Sequence, residues 1–287
     1  MAYTLGELVI DVLKELGELE ITVATGGSAT TAVDTKLVTG DLEIGDSDYI
    51  NGVLCVIRAS GAAPENEYQR ISANVQTATE VTFTIATLTA VIASGDTFGF
   101  ARATYPIFQV IEQINAGIRE LGDIELVDTT TMDTAESQTE YTWEVAWKRK
   151  KPLRLDVQGR TDDSNNNEWT EVYDFEVIPA TAGSTGLIVF NTQPIASRDV
   201  RVWYEDKHPR LSVYSDVIHE SINPVLATKA AVMKLAEWNL RRGTVEDPDA
   251  RGLVNNSKTE LVIAKAEFAI EKRRKHQGGL VVKDQWY

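Results

Sequence analysis

The chain has 287 residues, 43% of them hydrophobic and 25% charged, with one cysteine and a formal net charge of −15. This length bears roughly two domains, each able to bury a core of its own, and the proportions exclude a disordered or membrane-embedded class. Residues 1–206 carry net −19 and residues 207–287 net +4, so the body repels nucleic acid, which argues against tight duplex binding and is compatible with a wall past which DNA slides.

The N-terminus, Met1-Ala2-Tyr3-Thr4, has no charged stretch leading into an apolar one, and no apolar run approaches the ~20 residues of a membrane span. Synthesis in a reducing cytoplasm is expected, and a single cysteine allows no intrachain disulfide. Leu5, Leu8, Val9, Val12, Leu13 and Leu16 recur at helical spacing, and Thr4 with Glu7 forms a capping box, so a helix is predicted over 4–19. From Ile21 to Arg102 the texture turns to Thr, Val, Gly and Asp. β-type runs at Leu54–Arg58, Tyr68–Val75, Val81–Ala86 and Thr97–Ala101 predict a small barrel or sandwich. Cys55 lies inside the run Val53-Leu54-Cys55-Val56-Ile57 and reads as a buried strand residue.

Pro106 then opens a second helix over 105–121, with Ile107, Val110, Ile111, Ile114, Ile118 and Leu121 on one face. A second β region follows, with strands expected at 141–147, 153–157, 172–178, 187–190 and 200–204. Helical spacing returns from Ser215 to Leu240, with Pro224 kinking that helix or starting another. A loop from Arg241 to Asn256 leads to a last helix over 257–276, opened by the capping box Ser257 to Glu260. The predicted fold is α+β: a discontinuous helical bundle from residues 1–19, 105–126 and 207–276, two inserted antiparallel β modules at 20–104 and 127–206, and an extended tail at 277–287.

Motifs for chemistry are missing from the sequence. A phosphate cradle needs a glycine-rich turn whose amides crowd the anion, and Gly26-Gly27-Ser28 has no lysine after it. No Gly-x-Ser-x-Gly elbow occurs, and His208, His219 and His276 have no zinc-site spacing. Asp162-Asp163-Ser164-Asn165-Asn166-Asn167-Glu168 offers oxygen ligands but lacks the alternation and central glycine of a calcium loop, so it reads as a solvated turn. The expectation is therefore no enzyme, no cofactor and no metal. Trp143, Trp147, Trp169, Tyr173 and Tyr204 would make a sugar-stacking platform if exposed, although strand packing is the commoner use of such residues.

Two basic clusters stand against the acidic background, Lys148-Arg149-Lys150-Lys151 and Lys272-Arg273-Arg274-Lys275. Cations at a helix C-terminus suit its dipole, yet four in a row exceed that need and point to an acidic partner or DNA phosphates. Beyond Gly278-Gly279, Leu280-Val281-Val282-Lys283-Asp284-Gln285-Trp286-Tyr287 joins an apolar run to an aromatic end, which suits docking by strand addition or pocket filling.

The order of these features resembles the head-to-tail adaptor proteins of tailed bacteriophages. The residues that carry the resemblance are Thr4-Leu5-Gly6-Glu7-Leu8, Tyr49-Ile50-Asn51-Gly52-Val53-Leu54 through Tyr68-Gln69-Arg70-Ile71, Tyr105-Pro106-Ile107-Phe108, and Ala227 to Arg242 with Asn256 to Lys275. The resemblance implies a structural virion protein made in the host bacterial cytoplasm and placed in the virion neck. It implies a homo-oligomeric ring, typically twelvefold, beneath the portal protein, with a downstream neck or tail protein below and double-stranded DNA passing through. It gives Leu280, Val281, Val282, Trp286 and Tyr287 a portal-docking role and sets the basic clusters near portal or DNA. The alternatives are another tail or baseplate hub protein, or a carbohydrate-binding β-module protein.

Overall fold

A computed structural model describes residues 3–38, 44–45, 47–59, 65–142, 147, 152–159, 169–178, 186–242 and 248–268. They form two compact units, one from within residues 1–122 and 209–270, the other around residues 123–208.

The first unit opens with α1 (Leu5–Glu15), whose Leu5, Leu8, Val9, Val12 and Leu13 are fully buried. The Thr4 hydroxyl accepts the Glu7 N–H at 3.3 Å and the Glu7 carboxylate accepts the Thr4 N–H at 2.7 Å, the predicted capping box. At the other end Gly17 takes φ +69°, its N–H donates to the Lys14 carbonyl, and the Glu18 N–H donates to the Leu13 carbonyl. This glycine-closed end stops the helix at Glu15, short of the expected residue 19.

Seven antiparallel strands follow: β1 (Glu20–Val23), β2 (Gly26–Gly27), β3 (Thr31–Asp34), β4 (Val53–Arg58), β5 (Tyr68–Gln76), β6 (Val81–Ile85) and β7 (Thr97–Ala101). Their order in the sheet is β1-β7-β4-β5-β6-β3-β2. Strands β1 and β2 are successive in the chain yet end the sheet at opposite sides, so the sheet curls back toward itself. Residues between them tie both sides: Ala24 N–H donates to the Asp96 carbonyl at 2.8 Å and Thr25 N–H to the Val33 carbonyl at 2.9 Å. Inside the curl Tyr49, Phe83, Phe98 and Phe100 pack, with Phe83 and Phe100 ring centres 4.7 Å apart and Tyr49 edge-on to Phe100 at 5.0 Å. Cys55 alternates out of that interior, is fully buried where β4 meets α1, and its thiol is pushed up to about 12 by that burial.

Three more helices complete the unit: α2 (Ile107–Glu120), α3 (Pro224–Arg242) and α4 (Pro248–Glu267). α2 meets α3 at Gly117, where a Cβ would lie 2.7 Å from the Ala230 carbonyl carbon. The buried Asn115 side chain holds the chain before α3, donating to the Leu211 carbonyl at 2.9 Å and accepting its N–H at 2.8 Å. α4 packs back along α3 through Leu226, Ala230, Met233, Leu261 and Ala264.

The second unit is a pair of sheets built from β8 (Ile124–Asp128), β9 (Glu140–Thr142), β10 (Arg154–Gln158), β11 (Trp169–Val172), β12 (Phe175–Ile178), β13 (Leu187–Phe190) and β14 (Val200–Asp206). The orders are β11-β10-β14-β8 and β12-β13-β9. Leu155, Val200 and Val202 from the first sheet meet Tyr141, Ile188 and Phe190 from the second around a fully buried Trp147. The Trp147 indole N–H donates to Asp128 at 2.8 Å, satisfying its one polar atom.

The expectation of a discontinuous helical bundle carrying β modules fails. Among the described residues the protein is mostly β, with fourteen strands in three antiparallel sheets against four helices. Periodicity located apolar faces without revealing how much core each owns. The curled sheet encloses fifteen buried residues in a core of its own, and among the described residues α4 buries Val254, Ser257, Leu261 and Ala264 along one stripe. Two helix starts also differ. Of the two expected uses of Pro224 the structure takes the helix start, so α3 begins there and not at Ser215, because proline suits the first helical turn and the Asn223 side chain caps the Val225 N–H at 2.9 Å. α4 begins at Pro248 rather than Ser257; Ser257 sits within the helix and its hydroxyl donates to the Leu253 carbonyl at 2.8 Å. The expected strand 172–178 is two strands in two sheets, and β8 was not anticipated.

Candidate partner-docking groove

A concavity lies in the first unit, where the N-terminal segment, the stretch before α3 and the start of α3 converge. The Asp216 carboxylate accepts the N–H groups of Val213 at 2.9 Å and Ser212 at 2.5 Å, folding a tight turn; these bonds hold its pKa below the usual carboxylate range. The chain leaving that turn runs beside residues 3–6. Leu5 N–H donates to the Asp216 carbonyl at 2.8 Å, Gly6 N–H to Tyr214 at 2.9 Å, and Ile218 N–H to Tyr3 at 2.9 Å. The pairing holds Thr4 opposite Val217 and gives the first helical N–H groups their acceptors.

Two adjoining hollows of about 640 and 510 Å3 open here and share Tyr3 and Pro224. The larger is walled by Val217, Ile218, His219 and Ile222, the smaller by Asp11, Lys14, Val225 and Lys229. Val217 is 48% exposed and Val225 47%, so each hollow offers an exposed valine, while carboxylates of Asp11, Glu15 and Glu220 and the ammonium groups of Lys14 and Lys229 stand around them. Burial and then the Asp11 carboxylate, to which its hydroxyl donates, drive the Tyr3 phenol well above its ordinary value. Burial would lower Lys229, but hydrogen bonds to Glu15 and to Glu260 at 2.9 Å outweigh it and raise the ammonium instead. His219 Nδ1 lies 2.8 Å from the Ser221 hydroxyl. This contact is local, two residues apart, and it shapes the turn into α3.

Sequence reasoning missed this groove, since Tyr3, Val217 and Val225 carry no motif. The one available signal was Pro224, which ends whatever precedes it. The residues named from sequence as partner sites, Leu280, Val281, Val282, Trp286 and Tyr287, lie outside the described residues, as do Lys272, Arg273, Arg274, Lys275, Lys148, Arg149, Lys150 and Lys151. The carboxylate-rich turn 162–168, Trp143 and His276 also lie outside them. His208 is buried at 4% exposure.

Of the aromatic set, Trp147 belongs to the core, Tyr173 is 69% exposed, and Tyr204 packs partly buried against that core. Trp169 carries the Arg201 guanidinium 3.7 Å from its ring centre, which covers one face. Among the described aromatics Trp147 is thus closed to a stacking partner and Trp169 has one ring face already occupied. Among the described residues no group of three or more His, Cys, Asp or Glu is placed to hold a metal ion, and no helix is long and apolar enough to cross a membrane. Compared with models of protein families the chain matches none, and no curated protein is similar to it in sequence.

Proposed function

We propose that the chain is a non-enzymatic head-to-tail adaptor of a tailed bacteriophage virion, forming a homo-oligomeric ring below the portal protein. The observation that carries this reading is the shape and chemistry of the groove. An exposed strand edge at Val217, bordered by half-exposed valines and carboxylates, suits a length of another polypeptide rather than a small reactant. A second exposed apolar pair, Val262 at 68% and Ile263 at 60%, lies on the outer face of α4. Large apolar side chains left in water on separate elements favour a chain that meets several neighbours.

Charge supports the same reading. In a ring each subunit shows its neighbours two different faces, and an acidic body followed by a net basic C-terminal stretch supplies charges of both signs for such contacts. An acidic surface along a channel also keeps passing DNA from adhering. In this reading Trp286 and Tyr287, at the end of the C-terminal segment, reach the portal, and the lower surface receives the next neck or tail component.

Native mass spectrometry and negative-stain electron microscopy of the full chain test it, alone and mixed with the portal protein of the same virus. Closed rings, by itself or on the portal, are expected. A monomer under both conditions, or turnover of a small molecule at a defined cleft, overturns the reading.

A further inference from the structure

We propose that the groove beside Val217 is the acceptor for the C-terminal segment of a second copy of this chain, with Leu280-Val281-Val282-Lys283 adding to it as a strand. The inference rests on the ring reading and names the contact that would lock one subunit to the next.

The backbone geometry supplies the acceptor. Leu5 N–H to the Asp216 carbonyl and Ile218 N–H to the Tyr3 carbonyl flank the pair Thr4 and Val217, which exchange no hydrogen bond themselves. In an antiparallel ladder the N–H and C=O of such a pair point away from each other's strand. Those of Thr4 are used at home: its N–H goes to Glu7 and its carbonyl accepts Leu8 N–H. Those of Val217 point outward on a half-exposed residue, which is the edge an incoming strand needs.

The occupant follows from where the chain goes. Lys258 pairs with Glu237 at 3.3 Å and Glu260 with Lys229 at 2.9 Å, so α4 runs antiparallel to α3 and back toward its start. Phe268 packs on the cluster containing Leu226, two residues beyond the shared groove residue Pro224. Phe268 is the last described residue, and the nineteen residues after it in the sequence, fully extended, span on the order of 60 Å, enough to reach an adjoining subunit. Their sequence fits the acceptor. Val281 and Val282 are β-branched, and Glu220 at the larger hollow offers a carboxylate to Lys283. Each copy then donates one segment and accepts another, a head-to-tail contact that closes as a ring.

Disulfide trapping in the full chain tests this cleanly, because its one cysteine, Cys55, is fully buried. Val225→Cys and Glu220→Cys, both at exposed positions, are each combined with Val282→Cys, and the assembled protein is oxidised and run without reductant. A ladder of covalent multimers beyond the dimer is expected from at least one pair. A disulfide closed within single chains, or none from either pair, overturns the proposal. Mass before oxidation separates the two readings: rings without cross-links sink only the acceptor assignment, while monomers without cross-links sink the ring as well.

Discussion

Single residues in this protein act mainly by letting backbones approach. Gly6 in α1 lies where a Cβ would fall 1.9 Å from the Asn66 carbonyl oxygen, and Gly117 in α2 where it would fall 2.7 Å from the Ala230 carbonyl carbon. Neither neighbour is a side-chain tip able to swing aside. Gly117→Ala is therefore expected to push α2 from α3 and to cost about 1–3 kcal/mol despite alanine's better helix propensity. Urea denaturation checks it; an unchanged or raised midpoint contradicts the close crossing. Nothing in the sequence marks Gly117 as different from Gly252, whose Cβ would meet open space.

At the scale of elements, the α3–α4 hairpin is held by an apolar stripe flanked by ion pairs. Burial would raise Glu237, but Lys258 and Lys234 outweigh it and lower its pKa below the ordinary 4.5. A lowered carboxylate contributes stability above the ordinary value and loses it as pH falls through the folded value. Lys229, raised above 10.5, contributes stability below that value and loses it as pH rises through the folded one. Helical circular dichroism of the folded chain should thus weaken at both extremes. Glu237→Gln should remove part of the acid limb and leave the alkaline limb in place; an acid limb identical to that of the parent chain refutes the Glu237 assignment. The helices themselves were legible, because 3.6-residue periodicity needs only local sequence, while their ends were set by Gly17, Pro224 and Pro248.

For the whole molecule, the balance between helix and sheet depends on which faces find partners. Trp147 shows this for the second unit, where one indole between two small sheets is fully buried and hydrogen-bonded to Asp128. Trp147→Ala is expected to cost roughly 3–5 kcal/mol and to strip hydrogen-exchange protection from β10, β13 and β14. Retained protection there would show that the two sheets hold without that residue. Its alternating sequence neighbourhood pointed to a strand, but the number of sheets and their pairing did not follow from alternation.

By itself the sequence determined the local features: the capping box at Thr4 and Glu7, the apolar faces of α1 and α2, the buried setting of Cys55, and most strands of the curled sheet. Each depends on residues within a few positions of one another, so propensity and period suffice. Only the tertiary structure decided that the first β region closes into a curled seven-stranded sheet around a core of its own, that residues 3–6 pair with 214–218, and that Tyr3, Val217 and Val225 share one groove. The last two join residues more than two hundred positions apart through backbone hydrogen bonds and shape, neither of which leaves a pattern in the order of side chains.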